Sequence, residues 1–231
     1  MTAYAIDLSR DYLVWDNRET CVVYPAPRRE NLYFPVENAK RRALNFKELA
    51  ASGGAYTGQD KVWLLPVLES QAFTDAYPPT PGFVIEDAQG NPWTVLEAAL
   101  NTWSTWWRCV TRNLVIAANL QDLITIERPE ITEGDSGEPV YTWTGVYVVE
   151  DFPAKVQITD SEPTLVNGVE TAARSYDVIL SQQIDIRKDD RVIWLNSDRQ
   201  GENPKGMVLQ WQRLWNPERI DELPRLACVR V

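Results

Sequence analysis

The chain contains no histidine, which restricts the chemistry that its side chains offer. Without imidazole there is no Ser-His-Asp triad, no Cys-His pair and no histidine ligand for zinc or iron. Three kinds of chemistry stay open: hydrolysis by a carboxylate pair, Mg²⁺ or Ca²⁺ chemistry on oxygen ligands, and a serine nucleophile activated by lysine. Each of them requires particular residue types at a particular spacing.

Adjacent acidic residues are the first candidates for a carboxylate pair. They occur at Glu86-Asp87, Glu150-Asp151 and Asp189-Asp190. Neighbouring side chains on a strand point to opposite faces, so none of these pairs places two carboxylates on one side of a substrate. A carboxylate hydrolase would instead need two acids from different strands, about 5–10 Å apart in a cleft. Solvation at the surface is the simpler role for these residues.

Metal and nucleotide motifs are also missing. The acidic segment Asp135-Ser-Gly-Glu138 lacks the spacing of a calcium-binding loop, and the glycine-rich segment 52–58 lacks the Gly-Lys-Ser/Thr ending of a phosphate-binding loop. The chain has three cysteines, which are far apart in the sequence: Cys21, Cys109 and Cys228. Their odd number and wide spacing oppose both a metal cluster and a disulfide framework. We expect them to be buried free thiols in a reducing compartment. We therefore expect no catalytic residue, no metal and no cofactor.

Composition places the chain among globular proteins with a real core. Of 231 residues 44% are hydrophobic, and 33 acidic against 23 basic side chains give a net charge of −10. That charge disfavours broad binding to nucleic acid. The N-terminus has no signal-peptide pattern and no run of 18 apolar residues occurs, so we expect no membrane association.

Ten tryptophans in one chain allow two interpretations. Indole rings stack on sugar faces, so the chain could be a carbohydrate-binding β protein. Alternatively, the large rings fill the cores of small β domains and the contacts between them. The rings that a sugar platform would use are Trp103, Trp106, Trp107, Trp211 and Trp215. Core and interface filling is the preferred interpretation.

Alternation and turn residues predict a mainly β protein with one helix. The helix is predicted over 36–51, where apolar residues recur at a helical period and Lys40, Arg41 and Arg42 form a basic face. Strands are predicted at 19–24, 61–68, 83–86, 93–97 and 105–116 in the first half, and at 122–128, 140–149, 154–159, 173–180, 191–195, 207–213 and 226–231 in the second.

The two halves carry similar cues in the same order. Four correspondences support this: the proline-ended strands at Pro25 and Pro129, the strands with internal Pro66 and Pro153, the pair of strands around Gly90 and around Gly206, and the closing strands with Cys109 and Cys228. These predict two tandem related small β-barrel or sandwich domains, at 1–118 and 119–231, with the helix inserted in the first.

Four segments of the second half follow one another in a characteristic order. They are Ala173-Arg-Ser-Tyr-Asp-Val-Ile-Leu180, Ile184-Asp-Ile-Arg-Lys-Asp-Asp190-Arg-Val-Ile193, Gly206-Met-Val-Leu-Gln210 and Leu226-Ala-Cys228-Val-Arg230. In this order they resemble the small β-barrel head–tail joining proteins of tailed bacteriophages. In that family a strand is followed by an isoleucine before a Gly/Asp-Asp-Arg-Ile turn, then by a glycine before a strand of the form Tyr/Met-x-Val, and then by a terminal strand with a cysteine or small residue. The match covers about half of the second domain, and the family is usually a single domain.

The resemblance implies a non-enzymatic virion protein in the neck, assembled in the host cytoplasm as a homo-oligomeric ring. Its partners would be the portal or adaptor, the tail or tail terminator, and genomic DNA that passes through an acidic lumen without sequence-specific binding. The candidate partner-contacting residues are Lys40, Arg41 and Arg42 on the helix, Tyr56 in the glycine-rich loop, and Asp135 and Glu138 in the acidic loop.

Overall fold

The computed structural model describes residues 11–29, 31–67, 76–134, 136–159, 164–166, 169–171, 175–195, 206–215 and 223–230. Within these ranges the protein is mainly β, with fourteen strands, two short α-helices and a 3-10 turn at Asp11–Val14. The chain divides into two compact units, Met1–Ala26 with Asn31–Ala117, and Pro27–Glu30 with Ala118–Val231. The domain bounds expected from the sequence, 1–118 and 119–231, stay a prediction.

The first unit contains a closed six-stranded antiparallel barrel. The order around the barrel is β1, β2, β3, β6, β5, β4, and β4 pairs with β1 to close it. The strands are β1 Arg18–Tyr24, β2 Phe34–Ala43, β3 Lys61–Pro66, β4 Val84–Glu86, β5 Pro92–Leu100 and β6 Trp106–Arg112. Inward side chains alternate with outward ones, and buried Trp63, Leu65 and Ile85 fill the interior.

The second unit contains another closed six-stranded barrel, in the order β11, β14, β13, β12, β7, β8, with β8 pairing with β11. Its strands are β7 Asp122–Glu133, β8 Pro139–Thr159, β11 Ser175–Leu180, β12 Arg191–Trp194, β13 Met207–Trp215 and β14 Arg225–Arg230. A separate two-stranded sheet is formed by β9 Thr164–Val166 and β10 Val169–Thr171. Residues 27–30 group with this unit, where Arg28 forms a parallel bridge with Ile184.

Both barrels connect their strands in the same order: first, second, third, sixth, fifth, fourth. Cys109 on the sixth strand of the first barrel is in register with Trp63 on the third, and Cys228 on the sixth strand of the second barrel is in register with Tyr176 on the third. All four side chains are buried in their cores. The two cysteines thus occupy equivalent strand positions, and the descent of both barrels from one domain stays a prediction.

One of the four sequence correspondences is wrong. Pro66 ends β3, the third strand of its barrel, whereas Pro153 lies in β8, the second strand of its barrel. The other three correspondences pair strands at equivalent positions, the first, the fourth with the fifth, and the sixth, although β7 continues past Pro129. Proline alone therefore does not identify a strand position, because it is tolerated at strand ends and at bulges alike.

The predicted helix over 36–51 is wrong in its first half, because Phe34–Ala43 is strand β2. Asn38 has a φ of 56°, and the register with β1 shifts by one residue at this point. The resulting bulge places Val36 and Ala39, three residues apart, on the same buried side. This spacing imitates one face of a helix.

The helix that does form is α1, Phe46–Ala51, and a second short helix, α2, covers Leu114–Ala117 where the sequence predicted strand. Asn45 caps α1: its side chain accepts from the Glu48 N–H at 2.9 Å, and the Glu48 carboxylate accepts from the Asn45 N–H at 2.8 Å. Glu48 also accepts two hydrogen bonds from Arg42, both at 2.7 Å, and one from Arg108 at 3.1 Å. The helix is thereby attached to β2 and β6.

The thiols give a first testable prediction. Burial raises the pKa of Cys109 and of Cys228 to about 12 and also raises that of Cys21. Because the thiolate is the reactive form, we expect no reaction with a thiol-specific aromatic disulfide at neutral pH in the native protein and reaction of all three thiols in denaturant. Absorbance of the released thiolate measures both states. Rapid native labelling of any thiol would contradict the buried placement.

Glu48 gives a second prediction, on pH dependence. The hydrogen bonds from Arg42, together with those from Asn45 and Arg108, outweigh burial and lower its pKa from 4.5 to about 2. Its ion pairs therefore stabilise the folded protein fully above pH 4.5, and this contribution is lost as the pH falls towards 2. We expect Glu48→Gln to cost about 1 kcal/mol at neutral pH.

Thermal unfolding of the wild type and of this variant measures the difference at each pH. The two melting temperatures should converge as the pH approaches 2. Glu37→Gln, at an exposed position on β2, is the matched control and should change little at any pH. A difference for Glu48→Gln that stays constant down to the lowest pH would show that charge is not its cause.

Candidate interaction site

A long β-hairpin is the most prominent feature of the second unit. Strand β7 pairs with β12 only at residues 124–127, and β8 pairs with β11 only at residues 154–159. Beyond these positions β7 and β8 pair with each other as far as the Glu133–Pro139 pair. We call residues 128–147 the arm. Within the described part of the chain it is a two-stranded ribbon that continues two barrel strands.

The sequence did not predict the arm. Pro129 was expected to end the first strand of this unit, but β7 continues through it to Glu133. The register between β7 and β8 shifts between Arg128 and Glu130. Pro129 therefore lies at a bulge, where its missing N–H interrupts no regular ladder. The alternation of apolar residues on both sides of the acidic loop is the signal that could have identified a continuous hairpin.

The arm exposes large apolar side chains. Five of the fourteen exposed large hydrophobic residues of the described chain lie in it, which makes it a candidate contact element since such residues are usually scattered. They are Ile131 (52% exposed), Val140 (42%), Tyr141 (45%), Val146 (38%) and Tyr147 (37%). Ile131 and Tyr141 are cross-strand partners and share one face, together with Glu133 and Pro139.

The Asp189-Asp190-Arg191 turn, on which the family resemblance partly rests, holds the base of the arm. Asp190 is buried, and both of its carboxylate oxygens accept from Arg128 at 2.9 Å. One of these oxygens also accepts from the Arg187 N–H at 2.7 Å, and Arg128 donates further to the Asp185 carbonyl at 2.8 Å. A bidentate ion pair with a buried carboxylate thereby fixes the point where β7 leaves the barrel.

Arg191 fixes the second strand of the arm. Its guanidinium donates to the Glu127 carboxylate at 2.6 and 2.8 Å and lies 3.9 Å from the centre of the Trp143 ring. Glu127 is buried and also accepts from the Gly145 N–H at 3.1 Å. Gly145 has a φ of 79°, a conformation that glycine adopts without strain. Charge, ring stacking and backbone together set the direction of the arm.

The structure places the predicted basic residues on strand β2 instead of a helix. Arg41 pairs with Glu19 and with the buried carboxylate of Asp87, and its guanidinium lies over Trp63 and Trp93 at 5.3 and 5.5 Å. Arg42 is held by Glu48, as described above. Lys40 is half-buried on the same strand. The two arginines are therefore engaged within the first barrel and do not form a free basic face.

The remaining predicted contact residues lie in different places. Tyr56 donates a hydrogen bond to Glu97, and burial together with this carboxylate raises its pKa to about 12. Glu138 is exposed at the tip of the arm, where its backbone carbonyl accepts from the Gly134 N–H at 2.8 Å. Asp135 falls outside the described residues. Of the five candidates that the structure describes, Glu138 lies in the arm.

The carboxylates of Glu19 on β1 and Asp87, in the turn after β4, both pair with Arg41. Burial raises the pKa of Glu19, with Arg41 opposing this effect and Asp87 adding to it. Burial also acts to raise the pKa of Asp87, but hydrogen bonds from Asn91, Trp93 and Arg41 outweigh it and hold the pKa below its ordinary value. Asp87 is thus fully engaged in hydrogen bonds, which is typical of a structural carboxylate. Among the described residues no group of three potential metal ligands occurs.

The tryptophans considered for a sugar platform differ in exposure. Trp103 is 70% exposed, whereas Trp106, Trp107 and Trp211 are half-buried, and the side chain of Trp215 lies outside the described residues. Trp106 packs edge-on against Trp15 at 6.3 Å, and Trp211 donates to the Arg187 carbonyl at 2.8 Å. The carbohydrate-binding alternative stays a hypothesis.

Comparison with known proteins yields little. No family model and no curated protein matches the chain. Among solved structures, the Bacillus subtilis inhibitor of motility MotI/DgrA aligns with 94% of this chain and 88% of its own, at 10% identity and a TM-score of 0.20. A score of this size carries no argument about fold or function. No helix in the described part of the chain has the length and apolar character needed to cross a membrane.

The base of the arm gives a third prediction. Arg191→Ala leaves the buried Glu127 carboxylate without its guanidinium and Trp143 without its stacking partner, so we expect a loss of about 2 kcal/mol in the free energy of unfolding. Urea unfolding measures it. Arg187→Ala is the matched control, since the side chain of Arg187 is 66% exposed. Equal losses in the two variants would show that the Glu127 contact contributes nothing.

Proposed function

We propose that this protein is a non-enzymatic structural component that assembles with other copies of itself through the arm, as a ring-forming head–tail connector in the neck of a tailed phage. The observation that carries the proposal is the arm: a ribbon that exposes large apolar side chains and is held in a defined direction by ion pairs with buried carboxylates. The resemblance of the sequence around Asp189-Asp190-Arg191 to head–tail joining proteins supports the same conclusion, because that turn forms the base of the arm.

Barrel closure makes the arm the natural contact element. A closed barrel leaves no unpaired strand edge, so association by adding one strand to another sheet is not open to either barrel. A two-stranded ribbon, in contrast, is only marginally stable in water on its own. Burial of its exposed apolar residues against another surface would stabilise it. The arm is therefore suited to bind a partner, and the barrel provides a rigid base for it.

In the proposed ring, the neighbours above and below would be the portal or adaptor and the tail or tail terminator. The net charge of −10 suits a lumen through which DNA slides, because acidic walls repel phosphate. Closed rings arise from heterologous contacts, in which two different surfaces of each copy meet.

Shortening the arm tests this function. Replacing residues 130–142 by a two-residue Asn-Gly turn removes the exposed ribbon and keeps its base, so we expect a folded protein that no longer self-associates. Sedimentation velocity over a range of concentrations measures the assembly state, and circular dichroism checks the fold. The matched control replaces residues 164–171, the β9–β10 hairpin, in the same way and should keep the assembly.

Location is tested separately. Virions that carry a tag on this protein should bind a gold-labelled antibody at the neck. Labelling elsewhere on the particle, or a shortened-arm variant that assembles as well as the wild type, would overturn the proposal.

A further inference from the structure

A second surface of the same unit lies on the outward side of strands β8, β11, β14 and β13. In this sheet Tyr176, Val178, Leu226 and Cys228 are buried, so the residues between them point outwards. Strand register forms two rows: Gln157, Asp177, Ala227 and Arg213 in one, and Lys155, Ile179 and Arg225 in the next. We call these residues the basic face.

The basic face combines positive charge with a shallow apolar centre. It carries Lys155, Arg213 and Arg225 against a single acid, Asp177, in a chain whose net charge is −10. Arg213 and Arg225 are exposed. The small side chain of Ala227 leaves a depression lined by Asp177, Arg213 and Arg225. A large apolar side chain flanked by carboxylates would fit such a surface.

The arm offers that combination. Ile131 and Tyr141 project from one face, and Glu133 lies on the same face two residue pairs further out. Glu138 follows at the tip, and both glutamates are exposed. The apolar part of the arm thus matches the centre of the basic face, and its acidic tip matches the arginines.

We infer that the arm of one copy docks on the basic face of a second copy, with Ile131 and Tyr141 over Ala227 and Ile179 and with Glu133 and Glu138 near Arg213 and Arg225. This inference rests on the proposed ring and specifies its contact. The two surfaces are different, so the contact is heterologous and repeats from copy to copy until the ring closes.

Charge reversal tests the pairing. The arm variant carries Glu133→Lys and Glu138→Lys, and the face variant carries Arg213→Glu and Arg225→Glu. Each alone should self-associate at least about tenfold more weakly than the wild type, since each juxtaposes like charges. An equimolar mixture should recover assembly, because every contact then joins opposite charges. Native mass spectrometry should show assemblies that contain both variants.

Matched controls reverse two exposed charges in the first unit: Asp16→Lys with Glu37→Lys, and Arg18→Glu with Lys47→Glu. Both should assemble like the wild type. A cysteine pair is a second measurement that tolerates a folding defect in any reversal variant. In Ile131→Cys with Ala227→Cys, mild oxidation should link copies to one another, whereas either substitution alone should give no ladder of linked copies.

The outcomes separate this inference from the proposed function. If the wild type forms rings, and the reversal variants assemble equally well or fail to recover on mixing, the arm–face pairing is wrong while the ring stands. If the wild type stays monomeric at every concentration and no cross-links form, both are wrong. Recovery on mixing together with cross-linking confirms the pairing.

Discussion

Closure of each six-stranded sheet on itself is the constraint on which the rest of the structure depends. In both barrels every strand has a neighbour on each side, so the paired parts of the strands leave no open sheet edge. Recognition by such a unit must use outward side chains or an element that leaves the barrel. The arm is such an element, formed where the first and second strands of the second barrel continue past their other neighbours. Its stability depends on the barrel from which it extends.

The buried ion pairs at the base of the arm have a geometric role more than a stabilising one. Burial removes the Asp190 and Glu127 carboxylates from water, and attraction to their arginines offsets only part of this desolvation energy. Apolar residues of similar size could fill the same space. Bidentate hydrogen bonds, however, require one orientation of each partner. We interpret the two pairs as the device that directs the arm, since a ribbon without them would have only backbone hydrogen bonds to set its course.

The sequence predicted most strands because barrel walls alternate between a filled interior and solvent, which is a local and periodic signal. It failed where backbone geometry altered the period. At Asn38 the bulge brings Val36 and Ala39 to one side and imitates a helix. At Pro129 a second bulge hides the continuation of β7. Neither bulge is visible without the partner strand.

The interaction site was beyond sequence reasoning for a different reason. Arg128 and Asp190 are 62 residues apart, and Glu127 and Arg191 are 64 apart, so only the closed topology brings them together. The same topology joins Ala227 to Asp177 and Arg213 on one outward surface. Charge composition suggested an acidic protein, but only strand register shows that basic side chains are gathered on one face.

The distribution of charge also bears on which symmetry an assembly of this chain would adopt. A two-fold contact between the tips of two arms would bring Glu133 and Glu138 of one copy close to the same residues of the other. A two-fold contact between two basic faces would oppose Arg213 and Arg225 in the same way. Both isologous contacts are therefore disfavoured electrostatically, whereas arm against face is favoured.

Such selection by repulsion acts mainly at low ionic strength, because exposed charges are screened within about 10 Å in dilute salt. Apolar burial by Ile131 and Tyr141 is not screened, so the affinity would come from these residues and the choice of partner surface from the charges.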